Sequence, residues 1–281
     1  MHVAQELVAS LNKLASLPTL YYRVRDELND PDVSTARLAD LIASDPALAS
    51  ALLRLANSAF YGFPRKIETL TRAISLIGLD QVSDTVLTSS FATTFGGIRP
   101  QRMDMHRFWC GSVRRAVFCR TLARQRGDPE PERMFVIGLL SDAGHLVMYH
   151  AVPDLMGIVL DMPTQDIREL AEQERNIVGC DYTEVGAALT LSWRLPINIG
   201  TCIGAQLSPP NAGAMARDAA LLNIAVMASE AIELDGPITV DDLPLNSETI
   251  DLCGIDPQVL PTLTEHAETQ MSEILHSLGL G

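Results

Sequence analysis

Apolar residues return at intervals of three and four along nearly the whole chain, and hardly anywhere at every second position. That period places them on one face of a helix and argues against half-buried strands. In SDPALASALLRLANSAFYG, Leu48, Leu52, Leu55 and Ala59 form such a stripe. Asp45 followed by Pro46 is a start signal, a capping carboxylate before a proline at the first helical position. Gly62 and Pro64 are the matching stop. In DVSTARLADLIASD, Leu38, Leu41 and Ile42 share a face, and IETLTRAISLIGLDQVSDTVLTSSFATTF reads as two helices broken near Gly78. Aromatic residues are only 5% of the 281, so the core is built mainly from Leu, Ile, Val and Ala, a usage that favours helix. The expected fold is all-α.

The punctuation divides the chain. FGGIRP, residues 95–100, predicts a joint between an N-terminal helical bundle, 1–98, and a larger C-terminal bundle, 99–281. GDPEPE, 127–132, is a second break, and LSPPNAGA, 207–214, reads as a loop. The acidic stretch LDGPITVDDLPLNSETIDLCGIDPQ is poor in helix signals, and Val259 to Leu278 reads as a last amphipathic helix.

A net charge of −14 excludes non-specific nucleic-acid binding by the whole surface, since phosphates want a basic face. The charge is uneven: eight arginines face four acids from Arg102 to Arg133, and four face twenty-one from Met134 onward. The five cysteines, Cys110, Cys119, Cys180, Cys202 and Cys253, form no C-x-x-C pair, so neither a zinc knuckle nor a redox motif is indicated. An odd count without a signal peptide fits a reducing cytoplasm. The longest uncharged run, between Arg194 and Arg217, carries Pro196, Asn198, Gln206, Pro209 and Pro210 and is unfit as a membrane helix. The expectation is a cytoplasmic protein with no membrane partner.

Chemistry concentrates in VIGLLSDAGHLVMYH, residues 136–150, where Asp142, His145 and His150 stand among apolar neighbours. Buried carboxylates and imidazoles are costly unless paired or metal-bound. On a helix, Asp142 and His145 share a face, whereas His145 and His150 are separated by roughly 140°. The segment therefore supplies at most two ligands to one ion, and His106 is the one plausible distant partner. The alternative is that Arg114 or Arg115 neutralises Asp142 and that His145 is an ordinary helix histidine. Arg114, Arg115, Arg120, Arg124 and Arg126 lie on one helix starting near Phe108 and ending near Gly127. They form either a solvated face paired with acids or, at Arg114, Arg115 and Arg120, an anion or acidic-partner contact. Asn57 and Ser58 read as backbone-bonding residues or partner contacts. Tyr61, Phe63, Arg65 and Lys66 on the YGFPRK loop suit an interface. Trp193 reads as core.

LPTLYYRVRDELNDPDVSTARLADLIASDPALASALLRLANSAFYGFPRKIETLTRAISLIGLDQV resembles the N-terminal signature of HDOD domains. The Leu17-Pro18 opening, the Asp45-Pro46-Ala-Leu step, LRLANSAFYG and the segment from Ile67 to Gly78 occur in the family's order. The resemblance continues through FWCGSVRRA, VIGLLSDAGHLVMYH and EVGAALTLSWRLP and covers roughly residues 10 to 210. HDOD domains are similar to the HD superfamily of metal-dependent phosphohydrolases, in which a bound metal activates water. Position by position, the resemblance places the family's upstream histidine on Gly111, its His-Asp pair on Ser141 and Asp142, and further histidines on Tyr182 and Gln206. The distal aspartate falls on Ser229. Asp142 alone keeps a ligand side chain. The resemblance thus implies an HD-like bundle without cofactor or catalysis, a bacterial signalling module that contacts a regulatory or signalling protein. Two alternatives stay open. One is a phosphohydrolase with Asp142, His145 and His106 on one metal; the other is a nucleotide or anion sensor at Arg114 to Arg120.

Overall fold

Asp45 accepts hydrogen bonds from the backbone nitrogens of Ala47 and Leu48, at 2.9 and 3.1 Å, and Pro46 takes the first helical position. Such local signals set the helix ends throughout the computed structural model. It describes residues 2–11, 17–58, 61–100, 102–164, 166–235, 243, 245–259 and 270–280. Among these the regular structure is α-helix and short 3-10 turns, with no strand.

One unit contains α2 (Thr19–Leu28), α3 (Thr35–Ala43), α4 (Pro46–Ala56), α5 (Leu70–Ile77), α6 (Leu79–Gly96) and the C-terminal helix, 270–278. Leu48, Leu52 and Leu55 are buried along one face of α4; Ala59, on the same expected stripe, lies outside the described residues. Gly78, at φ +92°, separates α5 from α6 at the expected break.

The other unit contains α1 (Ala4–Ser10), α7 (Met105–Arg126), α8 (Pro131–Leu140), α9 (Ala143–Ala151), α10 (Pro153–Leu160), α11 (Ile167–Ile177), α12 (Tyr182–Ser192), α13 (Ile197–Gly204), α14 (Ala216–Asp235) and α15 (Ser247–Cys253). α7 packs along α8 and α14, and α12 packs against α9, α13 and α1. Trp193 is buried.

Four details differ from the expectations. The division falls between Ile98 and Arg99, but α1 belongs with the larger unit and helix 270–278 with the smaller, so linear ranges 1–98 and 99–281 do not describe the units. The stretch 136–150 is not one helix: α8 ends at Leu140, and Asp142 is the N-terminal flanking residue of α9. Pro209–Met215 is a 3-10 helix rather than a plain loop. The acidic stretch hides α15, capped by Asn246 through Thr249 N at 2.6 Å and closed by Gly254 at φ +70°. Of the expected last helix, 260–269 lies outside the described residues. Taken together, α8 and α9 (Pro131–Ala151) have the length and composition of a membrane span, yet they are separated at Ser141-Asp142 and 83% of the apolar window is buried inside the protein.

Candidate functional site

The break between α8 and α9 places Asp142 between α7 and the first turn of α9. Asp142 Oδ1 lies 2.5 Å from His145 Nδ1, and its Oδ2 lies 3.3 Å from Arg115 Nη1 on α7. His145 Nε2 lies 2.8 Å from Glu174 Oε1 on α11. Glu174 Oε2 accepts the backbone N–H of Tyr182 at 2.9 Å, at the first residue of α12. Arg115 Nη2 donates to Glu230 Oε1 on α14 at 3.0 Å. The Tyr182 ring stacks on His145, with centroids 4.3 Å apart and planes 13° from parallel. One relay of charges therefore runs Glu230–Arg115–Asp142–His145–Glu174 and ties together α14, α7, the α8–α9 break, α9 and α11.

Close helix approach makes this geometry. A Cβ on Gly144 would fall 1.9 Å from Tyr182 O, and one on Gly138 would fall 2.7 Å from Arg115 O. Only glycine lets α9 meet α12, and α8 meet α7, at those distances.

The charges follow from the partners. Both nitrogens of His145 face carboxylate oxygens, an arrangement that suits the doubly protonated imidazolium, which donates from both. Burial pulls the His145 pKa down, but Asp142 and Glu174 together outweigh it and lift it to about 10. Burial pushes Asp142 up, while Arg115 and His145 outweigh it and bring it to about 2. Burial, then the Asp142 charge, raises the Tyr182 phenol well above its ordinary value, so it stays protonated.

These residues do not fit an HD-type metal centre. Both oxygens of Asp142 are engaged, and Ser141 turns its hydroxyl back to Gly138 O at 2.8 Å. Gln206 donates to Ser141 O at 2.9 Å, which brings those two family positions together. Among the described residues the remaining buried atoms Tyr182 Oη, Gln206 Oε1 and Ser229 Oγ find no hydrogen-bond partner, and all three are neutral oxygens. Divalent catalytic ions are held by carboxylate, imidazole or thiolate donors instead. Gly111, buried on α7, offers no side chain. Among the described residues no group of three His, Cys, Asp or Glu is placed to hold a metal.

Several expected sites change accordingly. His106 is exposed in the first turn of α7, nine residues before Arg115, so a centre of Asp142, His145 and His106 does not form. His145 is not an ordinary helix histidine but a buried bridge, and a protonated imidazole has no lone pair for a metal. The arginines divide: Arg114, Arg115 and Arg120 are buried, with Arg120 over the Phe135 ring, whereas Arg124 is exposed and pairs with Glu132, and Arg126 pairs with Asp128 and Asp218, as an acid-paired face requires. Nor are Arg114, Arg115 and Arg120 an exposed anion contact. In the relay, Arg115 and His145 face three carboxylates, leaving an excess negative charge that disfavours an anion. Asn57 spends its amide on Leu53 O, Ile67 O and Ile67 N, all within 2.8 Å, so it fastens the chain after α4. Tyr61 bonds Thr85 at 2.8 Å and stacks on Phe63 at 5.7 Å, both half-buried; Arg65 and Lys66 are exposed.

The sequence reading did not single out Glu174. Its signal was an acid on the apolar face of a strongly amphipathic helix, three residues after Ala171 and four before Val178, both fully buried.

The HDOD domain model matches residues 14–209. An uncharacterized protein of Treponema pallidum (strain Nichols) is 23% identical over 246 residues, covering 86% of this chain and 47% of its own length. The chain spans less than half the length of the curated relatives it matches. Among solved structures, a candidate phosphohydrolase from Shewanella amazonensis SB2B superposes with a TM-score of 0.76 at 24% identity over 99% of both chains. A candidate signal-transduction protein from Marinobacter aquaeolei VT8 gives 0.69 at 21% identity, over 94% of this chain and 59% of that one. The structural likeness establishes the fold, and the family match assigns the chain: it belongs to the HDOD domain family.

Proposed function

We propose that this chain is a non-catalytic regulatory module of the bacterial cytoplasm that acts by contact with another regulatory or signalling protein. One observation carries the reading: the surviving ligand-type residue, Asp142, has both oxygens committed to Arg115 and His145. A hydrolase of this fold needs an acidic oxygen free for an ion, which then lowers the pKa of a bound water. Here the protein's own cations hold that oxygen. The name of the Marinobacter neighbour is consistent with a signalling role.

The competing reading, a metal-dependent phosphohydrolase, rests on the retained Asp142. Elemental analysis separates the two, on protein prepared without metal-affinity resin and then offered manganese, iron, zinc or magnesium. The expected result is less than about a tenth of an equivalent, because a formed metal site of this type binds near stoichiometrically. Near-stoichiometric metal that disappears in Asp142→Ala would overturn the regulatory reading and make phosphoester hydrolysis the next assay.

A further inference from the structure

Arg115 stands one helical turn after Gly111, on the same face of α7. Its two terminal nitrogens reach carboxylates from different elements, Asp142 Oδ2 at 3.3 Å and Glu230 Oε1 at 3.0 Å. Glu230 is the residue after Ser229, where the family resemblance places the distal aspartate. Compared with the family pattern, a donor is missing at 111 and a cation is present at 115; the acid is missing at 229 and present at 230. The Arg115 and Asp142 side chains are 7% and 11% exposed, so each charge needs its partner. The hydroxyl of Tyr182 is buried beside the same groups and bonds to none of the described ones.

We propose that Arg115 is a built-in replacement for the metal: its guanidinium neutralises Asp142 and Glu230, and its removal uncovers a divalent-cation site made by those two carboxylates. The inference rests on the reading that the native chain holds no catalytic metal. Two carboxylates that lose a shared cation repel each other, and a hard divalent ion is the simplest neutraliser for oxygen ligands.

The test compares wild type, Arg115→Lys, Arg115→Met and the double variant Arg115→Met/Asp142→Asn, all stripped with chelator. Melting temperature and bound metal are measured with and without millimolar manganese. Arg115→Met is expected to bind manganese and gain about 5 °C or more, since a ligand that binds only the native state stabilises it. Wild type, Arg115→Lys and the double variant are expected to show no shift. No shift in Arg115→Met, or an equal one in the double variant, overturns the replacement while leaving the regulatory reading intact. Manganese uptake by wild type overturns both. If Arg115→Met does not fold without metal, refolding in manganese decides: recovery supports the replacement, and failure to recover overturns it.

Discussion

His145 lies between two carboxylates and against a phenol ring, and this placement makes its charge part of the fold. Its pKa is raised from 6.5 to about 10 by Asp142 and Glu174 against the opposing effect of burial. A raised value means that the folded state holds the proton more tightly than the unfolded chain does. The contribution to stability is therefore complete below pH 6.5 and is lost as pH climbs through 10. Asp142 has the opposite sign: lowered from 3.8 to about 2, it stabilises above pH 3.8 and loses that effect as pH falls toward 2. Melting temperature should thus decline between pH 6.5 and 10, and His145→Gln should remove most of that decline. A wild-type curve that is flat across this window would mean that the imidazolium bridge does not form.

At the scale of elements, helices were legible because their signals are local. Asp45, Gly78, Gly127 and the stripes on α3 and α4 each act within one or two turns. What stayed hidden was tertiary. Nothing near residue 174 says that its carboxylate meets an imidazole twenty-nine residues away, and the α8–α9 break falls at Ser141-Asp142, with neither glycine nor proline to mark it. The identities at 111, 141, 182, 206 and 229 carried the expectation of lost ligands, but the contacts of Asp142 with Arg115 and His145 did not show in them. Arg115 looked like one member of a basic series until packing buried it. The glycines carry the remaining specification. Gly144→Ala would drive a methyl group into Tyr182 O, 1.9 Å from the ideal Cβ, and prise α9 from α12. Denaturant unfolding should show a loss of about 3 kcal/mol or more, the upper range for overpacking. Gly97→Ala, with nothing within 4 Å, should stay within about 0.5 kcal/mol. Similar values for the two would show that α9 and α12 do not meet closely.

At the scale of the whole molecule, each unit draws on one end of the chain, and this determines which pieces can fold alone. In the smaller unit, helix 270–278 buries Ile274, Leu275 and Leu278, and Arg54 Nε donates to Ser277 O at 2.9 Å. Three such aliphatic side chains represent about 4 kcal/mol or more of burial, a large part of what holds a unit of this size together. Residues 16–98 alone should therefore lack a cooperative urea transition. The same residues joined by a flexible linker to 268–281 should regain one. The larger unit depends in the same way on α1, where Ala4, Leu7 and Val8 are buried and His2 N donates to Val178 O at 2.7 Å. Far-ultraviolet circular dichroism across a urea series tests the first pair directly. If residues 16–98 unfold as sharply without the C-terminal segment as with it, the C-terminal helix contributes little and a linear division of the chain is the correct one.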